Sequence, residues 1–200
     1  MSSTITTYIS QSPRSINMES TDSTPGIVTY NIDPVSSSAR FSIRHFGIAF
    51  SRGEFSEVDG TVTLDTSDLT KTAITAYIKT NSFSTNHEQR DAHVKSSDFL
   101  DVDQFPTITF ESTSASIGLN SYPNVTGNLT LHGVTKSITL SVQEISDEVN
   151  DGYGHRRVGV TAITRIRMSD YGIKFDGKLE NGARILADEV DITLDIQLIR

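Results

Sequence analysis

A chain of 200 residues with 36% apolar and 21% charged side chains is long enough for one domain with its own core, and all-β domains of this size commonly stay undivided. Its 25 acidic residues outnumber 17 basic ones, and the net charge of −8 with no basic run argues against a nucleic-acid partner, whose phosphates need clustered Lys and Arg. Cysteine is absent, which excludes disulfides, thiolate metal sites and cysteine nucleophiles.

Residues 1–26 are rich in Ser and Thr, hold Pro13 and Pro25, and keep no sustained period, so a flexible arm is expected there and a domain over 27–200. The first twenty residues have neither the basic nor the apolar region of a signal peptide, which sets a cytoplasmic location as the expectation. No run approaches the roughly 18 apolar residues of a membrane-spanning helix.

From Ile27 onward, period-2 alternation dominates. Tyr30-Asn31-Ile32 makes a short strand broken by Asp33-Pro34. Phe41, Ile43 and His45 share a face, and Asp59-Gly60 is a hairpin signal before Val62 and Leu64. Ile74, Ala76 and Ile78 alternate with Thr75, Tyr77 and Lys79. Over 84–104 the period is lost and helical turns are expected, with Ser84 or Thr85, then Ser96 or Ser97, as N-caps. Alternation returns at Ile108 and Phe110. It continues through Val125, Leu129 and Leu131, with Gly127 marking a bulge or close approach, and through Leu140 and Val142 after a tight turn at His132-Gly133. Val158, Val160, Ala162, Ile166 and Met168 run in phase along one strand, and Val190, Ile192, Leu194, Ile196 and Leu198 along the last.

About eight strands with one helical interruption point to an all-β fold: an eight-stranded antiparallel closed barrel with a short helical insertion around residues 84–104. Two interiors fit that reading, a filled core or a channel for one ligand. Alternation gives a face and not a depth, so it leaves both open. Five histidines without H-E-x-x-H or facial-triad spacing, and no nucleophile, phosphate or dinucleotide motif, give no support to an enzyme or to a metal centre, the weak pair His87 and His93 included.

Several segments together resemble the YceI-like family of lipocalin-like barrels that bind polyisoprenoid or related long-chain lipids. They are Tyr30-Asn31-Ile32-Asp33-Pro34, Phe41-Ser42-Ile43-Arg44-His45, Arg90-Asp91-Ala92-His93-Val94 with Ser97-Asp98-Phe99, Phe105-Pro106-Thr107-Ile108-Thr109-Phe110, the run from Val125 to Lys136, Ser169-Asp170-Tyr171-Gly172 and Asp188-Glu189-Val190. The resemblance implies a non-catalytic protein with no cofactor, a long-chain lipid such as an isoprenoid quinone in the barrel for storage or transport, and a homodimer, for which Tyr77 and Ile163 are candidate contacts. It implies that Phe41, Ile43, His45, Val62, Ile74, Ala76, Ile78, Phe99, Phe110, Leu129, Leu140, Val160, Ala162, Met168, Ile192 and Leu194 face the ligand, and that Arg90, Asp91 and His93 form a rim or gate. Two positions depart from the family pattern. Ser36 stands where members usually carry a histidine, and Met168 where they carry an arginine.

Overall fold

The computed structural model describes residues 26–200 apart from 66 and 120, so the arm expected over 1–26 lies, but for Gly26, outside the described residues. The strands are β1 (Ile27–Ile32), β2 (Ser38–His45), β3 (Ala49–Phe55), β4 (Val58–Asp65), β5 (Ala73–Lys79) and β6 (Phe83–Ser84). A helix, α1 (Glu88–Lys95), precedes β7 (Thr107–Ile117), β8 (Pro123–Leu131), β9 (Val134–Ile145), β10 (Val149–Asn150), β11 (Arg156–Arg167) and β12 (Leu186–Ile199). Eight of these close into an antiparallel ring in the order β11-β9-β8-β7-β5-β4-β1-β12, sealed by the long β11–β12 ladder from Arg157↔Ile199 to Arg167↔Glu189. The expected eight-stranded closed barrel is therefore the observed one, and closure leaves the ring no free edge.

The extra strands come from bends rather than from more turns of the meander. β1 and β2 lie along the same edge of β12, at Asn31↔Ile199 and then from Asp195↔Ser38 to Leu186↔His45, so they are one strand interrupted at residues 33–37. The Asp33 carboxylate makes that interruption locally, accepting from the Val35 amide at 3.1 Å and the Ser36 hydroxyl at 3.0 Å, beside a proline with no amide to give. Beyond the bend β2, β3 and β6 form a flap on β12, and β6 pairs with β3 rather than with β7. The helical insertion fills the space this leaves. Phe99 and Leu100, in the turns after α1, are buried in one cluster with Phe83, Ile108 and Phe110.

Two local expectations are corrected. Asp59-Gly60 is no hairpin but lies inside β4, paired with Tyr77 and Ala76 of β5. The chain passes from β3 to β4 at Ser56-Glu57 without pairing them. The hairpin of this region is β2–β3, which turns over residues 46–48 between the paired His45 and Ala49, with φ of 52° at Phe46 and 72° at Gly47. Gly60 adopts φ 147°, and a Cβ there would collide with the Thr75 carbonyl, so the glycine serves a close approach of strands. Gly60→Ala is expected to cost about 3 kcal/mol, the scale of strain at a special φ, visible as a fall in the thermal midpoint; an unchanged midpoint would count against it. The second correction concerns the caps. His87 caps α1, its Nδ1 accepting the Arg90 amide at 3.3 Å, and Ser96 ends the same helix rather than starting another. Ser84 is spent in β6, and Thr85 is held by Asp91. The His132-Gly133 turn stands, with φ 51° and 72°, and Gly127 faces a bulge in β7 between Ser112 and Ser114.

Candidate functional site

A cavity of about 500 Å³ occupies the barrel axis, and its wall is almost wholly aliphatic and aromatic. Each strand of the ring contributes to it, because period-2 alternation turns every second residue inward once the sheet has closed. Small side chains at Ala39, Ala76 and Ala162 keep part of that wall thin. All the residues expected to face a ligand line the cavity, from Phe41, Ile43 and His45 to Ile192 and Leu194, with Phe99 and Met168 included.

The rim divides. Arg90 and His93 line the cavity and Asp91 does not. Asp91 accepts from the Thr85 amide at 2.9 Å, from the Thr85 hydroxyl and from the Ser84 hydroxyl at 3.3 Å, so it ties α1 to the end of β6. These donors hold its carboxyl below the usual range, against the opposing push of burial, which is the largest single influence. Arg90 reinforces the tie, donating to Thr85 Oγ1 at 2.6 Å and to the Thr85 carbonyl at 3.0 Å. His93 meets the Phe99 ring edge-on at 5.1 Å, and Phe99 stacks on Phe175 at 5.6 Å. Beside this end a second cavity of about 310 Å³, bordered by Lys174, Asp176, Arg184 and Asp188, shares Met168, Ile173, Phe175 and Leu186 with the first.

The opposite end carries a polar clamp. Glu148 reaches the cavity wall and accepts from the Tyr30 hydroxyl at 3.0 Å, from Arg200 at 2.8 and 3.1 Å, and from Arg156 at 3.1 Å. The Arg200 hydrogen bond, then those from Tyr30 and Arg156, outweigh burial and draw the Glu148 carboxyl down to about 2. Burial and the adjoining carboxylate push the Tyr30 phenol up. Next to the clamp, Arg157 joins Asp33 to Asp151, and the hydrogen bonds from Arg157 lower both carboxyls.

Sequence reasoning missed the clamp and several wall residues. Val125, Leu131, Ile138, Ile166, Ile196 and Leu198 stand in phase with the residues expected on the wall, so alternation already marks their face although the ligand-facing set leaves them out. Phe55 and Phe83 sit where strands break, while Ile173 and Phe175 come from an irregular segment, and no period marks them. Ser36 is exposed on the Asp33 turn, whereas Met168 puts a thioether on the wall between the two cavities. Tyr77 and Ile163 are exposed but do not share a patch, since β5 and β11 lie four places apart around the ring of eight. Among the described residues no three His, Asp or Glu side chains are grouped to hold a metal ion, and no helix is long and apolar enough to cross a membrane.

A closed antiparallel barrel around a through-running apolar cavity defines a lipocalin-like barrel. The chain belongs to the YceI-like domain family, whose model matches residues 30–198. A UPF0312 protein of Pseudomonas paraeruginosa is 36% identical over 173 residues, 86% of each chain. Protein YceI of Salmonella arizonae is 38% identical over 149 residues, 74% of this chain and 77% of that one. Among solved structures, BcnA of Burkholderia cenocepacia superposes with a TM-score of 0.68 at 22% identity, covering 83% of this chain and 98% of its own. A polyisoprenoid binding domain from Saccharophagus degradans, implicated in plant cell wall breakdown, gives 0.59 at 16% identity over 84% and 97%. At these identities the two structures establish the shared fold.

Proposed function

We propose that this chain is a non-catalytic carrier or store that holds one long-chain isoprenoid or related amphiphilic lipid inside the barrel. The observation that carries the reading is the apolar cavity of about 500 Å³ walled by every strand of the ring, within the roughly 300–1,000 Å³ typical of small-molecule sites. Each methylene moved from water to such a wall gains about 0.8 kcal/mol. Part of that gain goes to ordering the chain, so a long tail is needed for tight binding. The polyisoprenoid binding domain among the structural neighbours agrees in ligand class. A filled barrel acting only through its surface is the rival, and the open interior speaks against it.

Native mass spectrometry of the protein as purified, then after delipidation and re-exposure to prenyl and acyl lipids, tests the proposal. A bound mass matching a long-chain lipid is expected, and a barrel that takes up none would sink it. The gating role of α1 has its own test. Asp91→Ala removes the acceptor that ties α1 to β6, and Asp91 itself is not on the cavity wall, although its partner Thr85 is. Several-fold faster lipid exchange is expected with a stability loss of about 1–2 kcal/mol. Unchanged exchange would leave α1 a fixed plug.

A further inference from the structure

The tip of the β2–β3 hairpin, residues 46–50, lies off the cavity wall and gathers large apolar side chains in the open. Phe46, Ile48 and Phe50 are 42%, 83% and 39% exposed within five residues. Exposed apolar clusters of this kind mark contact surfaces. The tip is also locally cationic in an acidic chain. Residues 34–53 hold Arg40, Arg44 and Arg52 and not one Asp or Glu. Arg40 is paired with Asp195, which leaves Arg44 and Arg52 as the hairpin's available guanidiniums. Both gather on the exposed ring of Phe50, at 4.4 and 5.5 Å from its centre.

We propose that this tip is a docking element that seats the barrel on a bilayer carrying anionic phospholipids, a proposal that rests on the cargo being a lipid. The chemistry matches in both parts: aromatic and aliphatic side chains suit the acyl boundary, and flanking guanidiniums suit the phosphates above it. The tip is held in place rather than loose. The Phe46 amide donates to the Ile185 carbonyl at 2.7 Å, and the Arg44 guanidinium donates to the Gly47 carbonyl at 3.3 Å. It also adjoins the cavity. His45 lines the cavity and its ring lies 4.0 Å from that of Phe46, while Ile185 and Leu186, also on the wall, bond to or pair with the hairpin. A tail leaving a bilayer beside Phe46 would therefore reach the barrel interior without crossing open water. The overall charge of −8 opposes an anionic surface. At physiological salt, however, charges more than about 8 Å away are largely screened and the local cations decide. Ile117 and Leu119, exposed at the opposite end of the barrel, lie in a stretch with no Lys or Arg and serve as the control.

The test is co-sedimentation of the full chain with vesicles of phosphatidylcholine alone and of phosphatidylcholine mixed with phosphatidylglycerol. Binding to the mixed vesicles is expected, weakening as salt rises. Since each basic residue near an anionic surface contributes about fivefold, Arg44→Gln with Arg52→Gln is expected to weaken it tenfold or more, and so is Phe46→Ser with Ile48→Ser. Ile117→Ser with Leu119→Ser is expected to leave it unchanged. A wild-type chain that stays in solution with the mixed vesicles, or hairpin variants that sediment as the wild type does, would overturn the proposal. Native mass spectrometry reads cargo separately: lipid still loaded from detergent by the hairpin variants is expected, whereas an empty wild-type barrel overturns the cargo reading itself.

Discussion

Replacing Ala76 by tryptophan is expected to abolish lipid loading while the barrel stays folded. Ala76 lies midway along β5, paired with Gly60 of β4 and Phe110 of β7, and its side chain faces the cavity. It packs against both apolar clusters of the interior, the one around Phe110 and the one around Tyr30, so an indole there stands at the waist of the passage. The ring would displace several methylenes of any tail. At about 0.8 kcal/mol each, that removes roughly 3 kcal/mol, or about a hundredfold in affinity. Overpacking a filled core costs about 1–3 kcal/mol, but here the new ring enters open space. The thermal midpoint should therefore hold while native mass spectrometry and displacement of a fluorescent fatty acid both lose signal. Undiminished loading would mean that ligand lies elsewhere, and a collapsed midpoint would mean that the waist is already full.

Glu148→Ala is expected to give the largest loss of stability among single changes to polar side chains of the barrel. One carboxylate there serves Tyr30, Arg156 and Arg200, joining β1, the start of β11 and the last residue of the chain. Removing it leaves two guanidiniums and a phenol without their acceptor. Breaking fully buried pairs costs about 3–5 kcal/mol. The Glu148 side chain keeps 16% of its exposure, so about 2–3 kcal/mol is the expected loss in a urea titration. The same group sets a pH dependence. Its carboxyl titrates near 2 when folded against an ordinary value of 4.5. The folded state thus binds this proton less readily than the unfolded chain does. Its contribution is complete above about pH 4.5 and declines as the pH falls towards 2. Glu148→Gln cannot titrate, so the gap between wild type and this variant should narrow over that window; a constant gap would show that the clamp does not carry the acid sensitivity.

Much of the barrel was legible in the residues because alternation is a local signal. Phe41-Ser42-Ile43 or Ile192-Thr193-Leu194 states which side chains share a face whatever the strand pairs with. Closure of the sheet then makes that face the interior, which is why every residue expected to face a ligand lies on the cavity wall. Dipeptide signals travelled less well. His132-Gly133 does turn, with φ 72° at the glycine, whereas Asp59-Gly60 serves a close approach inside a strand. A polar residue followed by glycine suits either use, and only the neighbouring strand tells them apart.

Taken alone, then, the sequence determined the all-β class, the phase of the ring strands, the place of the helical insertion and the family. All of these depend on residues a few positions apart or on motifs written along the chain. Tertiary structure alone decided that β1 and β2 are one bent strand, that the interior is open, and that Asp91 ties α1 down while Arg90 and His93 reach the cavity. It alone put Ile173 and Phe175 on the wall and brought Glu148 to Tyr30 across 118 positions of chain. Depth, volume and long-range pairing arise from how strands meet around the ring, and no local period carries that information.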